Sequence, residues 1–172
     1  MTTRTHTRLI HKAFGSYGEQ HVAAHLQTLG YRARLGAIAG AGDVVVNDLL
    51  AVEVKSAYLT RRRRRNYPRW QFSFHRNNHP NSADIYILLC WDSGTAEPQL
   101  GLLAAFVIPG HHLSVNLKKI DIPRIDPKNY RGKWSRWLEA WPLLAEVLLD
   151  LQTGTRIPLT DAAVRIQDPI PF

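Results

Sequence analysis

Apolar and polar positions follow several rhythms along this chain, and each rhythm predicts an element. From Leu9 to Leu29 the spacing is helical: at about 100° per residue, Val22, Ala23, Leu26 and Leu29 share one stripe, and Gly30 follows as a C-cap. Tyr31 to Leu35 reads as a short strand, and the small residues from Gly36 to Gly42 read as a loop. Val44–Val46 and Leu49–Val54 are two β-rich runs joined at Asn47-Asp48, a turn signal. Trp70 to Phe74 alternates like a strand. Ala83–Cys90 and Leu102–Ile108 are apolar throughout, as buried strands are, with a polar hairpin tip around Ser93-Gly94. Pro109-Gly110 ends that run.

The last third changes character. Tyr130–Ala140 is patterned as a helix, and Pro142 suits the first turn of another running to about Leu151. Tyr130, Trp134, Trp137, Leu138 and Trp141 share a face, best explained by core packing or a subunit interface. Pro158, Pro169 and Pro171 mark an extended tail. The order predicts an α/β fold: a mixed central β-sheet flanked by helices, with a C-terminal helical extension. Residues 1–110 form the expected core, with a basic loop at 57–70, and 111–172 pack on the same domain.

At 172 residues the chain is long enough to bury one proper core. Twenty-two Lys and Arg against 14 Asp and Glu give a pI near 10.0, which favours a polyanionic partner. No run of about 20 apolar residues and no basic amphipathic helix points to a membrane. The N-terminus lacks the apolar core of a secretory signal, and the lone Cys90 sits in an apolar strand. The expectation is a cytoplasmic, DNA-associated protein.

Three residues break the apolar pattern: Asp43 opens one β run, and Glu53 and Lys55 close the next. Charges inside such strands cost free energy unless they meet a cation, water or substrate. Glu53 and Lys55, two apart, leave the same face of their strand. Asp43 joins them only in one register. A two-residue Asn47-Asp48 loop pairs Val46 with Leu49 and turns Asp43 away. A three-residue loop pairs Val46 with Leu50 and sets Asp43 opposite Glu53, so the chemistry predicts that register or a bulge near Asp43, helped by Gly40 and Gly42.

Two carboxylates with a backbone carbonyl suit Mg²⁺, which wants oxygen ligands and keeps several waters. Asp43, Glu53 and the carbonyl of Val54 are the candidate ligands, with Mn²⁺ able to substitute. Lys55 would orient the attacking water and steady charge on a phosphate. A buried ion-pair set, or a solvated strand face, would use the same residues.

The segments Gly18-Glu19 to Gly30-Tyr31, Gly42-Asp43 and Val52-Glu53-Val54-Lys55 resemble the PD-(D/E)xK nuclease superfamily. Within it the chain is most similar to archaeal-type Holliday junction resolvases and to small PD-(D/E)xK homing endonucleases. The resemblance covers about residues 15–56, and more loosely the strands to Ile108. It implies a restriction-endonuclease-like core, Asp43 and Glu53 as metal ligands, Lys55 as catalytic lysine and Glu19 as a helix-borne acid near the metal. The proline of the superfamily's name is Ala41 or Gly42 here, and residues after Pro109 have no counterpart.

Glu19 can also be weighed on a helical wheel, where it falls about 20° from Leu26 and points with the core stripe. Against that, Ser16-x-x-Glu19 is a capping-box pattern that would only close a helix N-terminus, unless the helix begins earlier. Arg61, Arg62, Arg63, Arg64 and Arg65, followed by Arg69, leave the sheet just past Lys55 and are the candidate DNA-backbone contacts. Ser56 and Gln71 are candidate neighbours of the site. His21 and His25, four apart, read as exposed helix histidines, since no acid or cysteine accompanies them.

The expected activity is a Mg²⁺-dependent endodeoxyribonuclease, selective for branched DNA as a symmetric homodimer if resolvase-like. A sequence-specific homing- or restriction-type enzyme, a non-catalytic DNA-binding module on the same fold, and a basic docking protein are the competing readings.

Overall fold

A computed structural model describes residues 3–36, 42–59, 67–74, 83–92, 101–114, 116–124 and 129–155. Its elements are α1 (Thr3–Thr28), β1 (Ala33–Leu35), β2 (Val44–Val46), β3 (Leu50–Tyr58), β4 (Arg69–Ser73), β5 (Ile85–Trp91), β6 (Leu102–Pro109), β7 (Lys119–Pro123) and α2 (Leu143–Gln152).

Five strands form a mixed sheet in the order β1-β2-β3-β5-β6. β1, β2 and β3 run antiparallel in turn, β3 and β5 are parallel, and β5 and β6 are antiparallel. β4 and β7 form a separate two-stranded antiparallel ribbon.

The side-chain period of two sends alternate residues to opposite faces, and each face has its own core. On one face Val44, Val52, Val54, Ile87, Leu89 and Val107 meet Val22 and Leu26 of α1, and Leu144 and Leu148 of α2. On the other, Tyr86, Leu88, Phe106 and Ile108 are covered by Trp70, Phe72, Ile120 and Ile122 of the ribbon, and by Trp137. Cys90 is buried in this second core, as its strand pattern predicted.

The α1 stripe is buried at Val22, Ala23 and Leu26, but Leu29 is exposed. The helix stops first, because Tyr31 N–H donates to the Leu26 carbonyl and Gly30 N–H to that of Gln27, a Schellman cap. Those bonds also delay β1 to Ala33. His21 and His25, expected to be exposed, instead pack against Trp91 and Trp141 with ring centroids 5.4 and 4.3 Å apart.

The helix expected over Tyr130–Ala140 does not form; the segment holds one 3-10 turn at Ser135–Trp137. Strand β6 lies at the sheet edge, and this segment satisfies it. Glu139 N–H donates to the Ala105 carbonyl, Ala105 N–H donates to Glu139 Oε1, and Leu138 bridges Phe106. Glu139 sits at φ +50°, which no right-handed helix allows. The aromatic stripe is core packing, split between the two faces: Trp137 joins one core and Trp141 the other.

Asp84, fully buried just before β5, extends the β3 ladder. Its N–H donates to the Ala51 carbonyl and its Oδ2 accepts from Ala51 N–H. Among the described residues no helix is long and apolar enough to cross a membrane. The tail after residue 155 and the hairpin tip at Ser93-Gly94 lie outside the described residues.

Candidate active site

Asn47 and Asp48 both adopt left-handed backbone, at φ +52° and +60°. Leu49 N–H donates to the Val46 carbonyl and closes the turn. A plain two-residue hairpin would now pair Val46 with Leu49. The ladder instead pairs Val46 with Leu50, Val45 with Ala51 and Val44 with Val52. Leu49 is the extra residue, and its side chain packs against the helix-side core. Continued by one step, this register sets Asp43 opposite Glu53, as the chemistry requires.

β2 begins only at Val44, so β3 runs on past Val52 with an open edge on that side. Asp43 serves that edge: Val54 N–H donates to Asp43 Oδ2 at 2.8 Å. Such a charge-assisted bond is worth about 1.5–3 kcal/mol and fixes the carboxylate beside β3. In an extended strand the N–H and C=O of one residue leave on the same side, so the Val54 carbonyl faces this edge too. Gly42 permits the approach. It sits at φ +81°, and a Cβ there would lie 2.9 Å from the Val52 carbonyl oxygen.

Glu53 is 9% exposed. Lys55 Nζ donates to Glu53 Oε1 at 2.9 Å, with both side chains largely shielded from water. The same ammonium lies 5.3 Å from the centre of the Phe74 ring. Sequence reasoning does not single out Phe74, although the Trp70, Phe72, Phe74 alternation places it on the core side of the ribbon.

Glu19 approaches from the helix. α1 begins at Thr3, so Ser16 and Glu19 lie well inside it and the capping-box reading falls. Gly18 lets the helix settle onto β3: a Cβ there would run into Ser56 Oγ. Burial, and then the Glu53 carboxylate, raise the Glu19 pKa above its ordinary value.

Asp43 feels the crowding most. Burial first, then Glu53 and more weakly Glu19, push its carboxyl up to about 6, against the lowering effects of the Val54 hydrogen bond and Lys55. Asp43, Glu53 and Glu19 thus act on one another electrostatically, and the Lys55 ammonium offsets part of that negative charge. Among the described residues, no three His, Cys, Asp or Glu side chains converge as a metal cluster. Asp43, Glu53 and the Val54 carbonyl are the oxygen donors that could hold a cation keeping most of its own waters, with Glu19 an electrostatic neighbour.

The remaining candidates sit elsewhere. Ser56 follows Lys55 and so faces the opposite side, its Oγ buried beneath Gly18. Gln71 lies between Trp70 and Phe72, turned away from the core, and donates to Asp121 Oδ1 at 2.8 Å. Arg69 is 3% exposed and ion-paired with Asp121 at 3.4 Å, which ties it to the ribbon. Arg61 to Arg65 lie outside the described residues.

No protein-family model and no curated protein matches the chain. Among solved structures it is similar to a bacterial homing endonuclease, I-Ssp6803I, with a TM-score of 0.55 and 18% identity over 84% of this chain and 95% of that one. The likeness is one of fold: the mixed α/β core described above is shared along most of both chains.

Proposed function

We propose that this protein is a Mg²⁺-dependent endodeoxyribonuclease acting through Asp43, Glu53 and Lys55, with Glu19 in support. The observation that carries the reading is the Val46–Leu50 register, because it gathers the acids and the lysine at one open strand edge. Bound there, the cation would supply charge neutralisation and an activated water. Asp43, just before β2, and Glu53 on β3 would hold it, with the Val54 carbonyl as a third oxygen donor. Lys55 would present its ammonium to a phosphate oxygen as charge builds in the transition state. Glu19 would add negative potential that favours a divalent cation over a monovalent one.

The arginine run at 61–65 begins two residues after Leu59 in the sequence and would track the phosphate backbone. A homodimer would place two such sites on opposing strands, and the setting would be cytoplasmic, where DNA is met.

Two substrates suit this chemistry. The resemblance of the motifs to junction resolvases supports branched DNA. The fold shared with a homing endonuclease supports duplex cut at a defined sequence, and this second reading has the structural comparison on its side. Incubating the protein with a four-way junction, a flap and a duplex library, with Mg²⁺ or Mn²⁺, decides between them. Cleavage confined to one duplex sequence removes the resolvase version. Cleavage of the junction at its branch point removes the other.

A further inference from the structure

We propose that Phe74 is a positioning residue for Lys55, holding the ammonium in place through its ring face; this rests on the hydrolase reading above. The Lys55 Nζ lies between two groups of opposite character, Glu53 Oε1 at 2.9 Å and the Phe74 ring centre at 5.3 Å. The second distance is inside the reach of about 6 Å over which a ring face attracts a cation. Phe74 is built to stay there. It is 6% exposed, its N–H donates to the Lys118 carbonyl at 2.9 Å, and its ring packs 5.8 Å from Tyr86. Tyr86 is the β5 residue paired with Glu53, so the ring is anchored to the same rung of the sheet as the acid.

The two interactions differ when a divalent cation is held. Glu53 would then share its charge with that cation, and its hold on Lys55 would weaken. The ring does not compete for a metal and takes no proton. It keeps the ammonium over the site while leaving N–H donors free to turn toward a phosphate oxygen. Phe74 thereby acts through Lys55 and touches no reacting atom.

The test replaces Phe74 in the full chain with mono-, di- and trifluorophenylalanine, which keep the ring's shape and drain the negative potential of its face. Steady-state DNA cleavage with Mg²⁺ should show kcat falling stepwise, by about three- to thirtyfold at the last member, with KM held within about twofold. Phe74→Tyr should cleave within about twofold of wild type, and Phe74→Leu should match the trifluoro protein. Should Phe74→Leu misfold by circular dichroism, the isosteric series still decides. A flat rate across that series, in a protein that Lys55→Ala inactivates, overturns the positioning role alone. If Lys55→Ala and Glu53→Ala cleave as fast as wild type, the hydrolase reading falls and this role with it.

Discussion

Val46 pairs with Leu50 across the β2–β3 hairpin, leaving Leu49 as the extra residue, and this one-residue offset turns Asp43 onto the face of Glu53 and Lys55. A slip of one residue would flip every side chain of β2 to the other face. The turn that fixes the offset holds Asn47 and Asp48 at positive φ, and Asn47 Oδ1 also accepts from Arg32 N–H at 2.9 Å. Asn47→Val should therefore destabilise the protein by about 2 kcal/mol, from left-handed strain and the missing bond. Urea unfolding measures it, with Asn47→Gly as the control that removes the bond and not the permissive backbone.

The pH dependence follows from Asp43. Its carboxyl is raised to about 6 in the folded protein, first by burial and then by Glu53. Between pH of about 4 and 6 the folded state keeps a proton that the unfolded chain has released. Its stabilising contribution is full below that window and is lost as pH rises through 6. Without metal, Asp43→Asn should be more stable than wild type at pH 7.5 by about 1–2 kcal/mol, a gap that closes below pH of about 4. Mn²⁺ affinity, followed by calorimetry, should fall as pH drops through 6, because protons compete for the ligand.

Lys55 should separate binding from chemistry. Its side chain is 14% exposed and engaged with Glu53, so it adds little to encounter with DNA. Lys55→Ala should lower kcat at least about 100-fold, the scale expected when transition-state charge loses its donor. Filter binding should show DNA affinity within about threefold of wild type.

Much of the fold was legible because its signals are local. The periodic stripe of α1, the runs that became β5 and β6, and Pro142 at the start of α2 need no distant partner to be read. Asp43, Glu53 and Lys55 stand out through their chemical cost, and requiring the three to meet gave the Val46–Leu50 register that β2 and β3 adopt. What escaped depends on partners far along the chain. β7 is five residues whose only signature is pairing with β4, and Phe74 matters only through where that ribbon lies. Tyr130 to Ala140 carries a helical pattern, yet the edge of β6 claims Leu138 and Glu139, and tertiary bonding outweighs propensity. Ser56 follows Lys55 and so takes the other face of β3, and Gln71 meets Asp121 within the ribbon, a pairing that only the β4–β7 register reveals.

The arginines should divide the same way. Replacing Arg61 to Arg65 with glutamine should flatten the salt dependence of DNA binding, by up to about 0.9 in log-log slope for each phosphate no longer neutralised. Arg69→Met should leave that slope unchanged. It should instead lower stability by about 1–3 kcal/mol, since Arg69 is 3% exposed and paired with Asp121. Binding titrations at several salt concentrations, beside thermal melts, read both.

A metal-dependent hydrolase built on Asp43, Glu53 and Lys55 is tested most directly by nicking and linearisation of supercoiled plasmid. Wild type and Glu53→Ala are compared, each with Mg²⁺ and with EDTA. Cleavage is expected only from wild type with the metal, and none from Glu53→Ala even though it still retards the plasmid. Metal-independent cleavage, or equal cleavage by the two proteins, would contradict it.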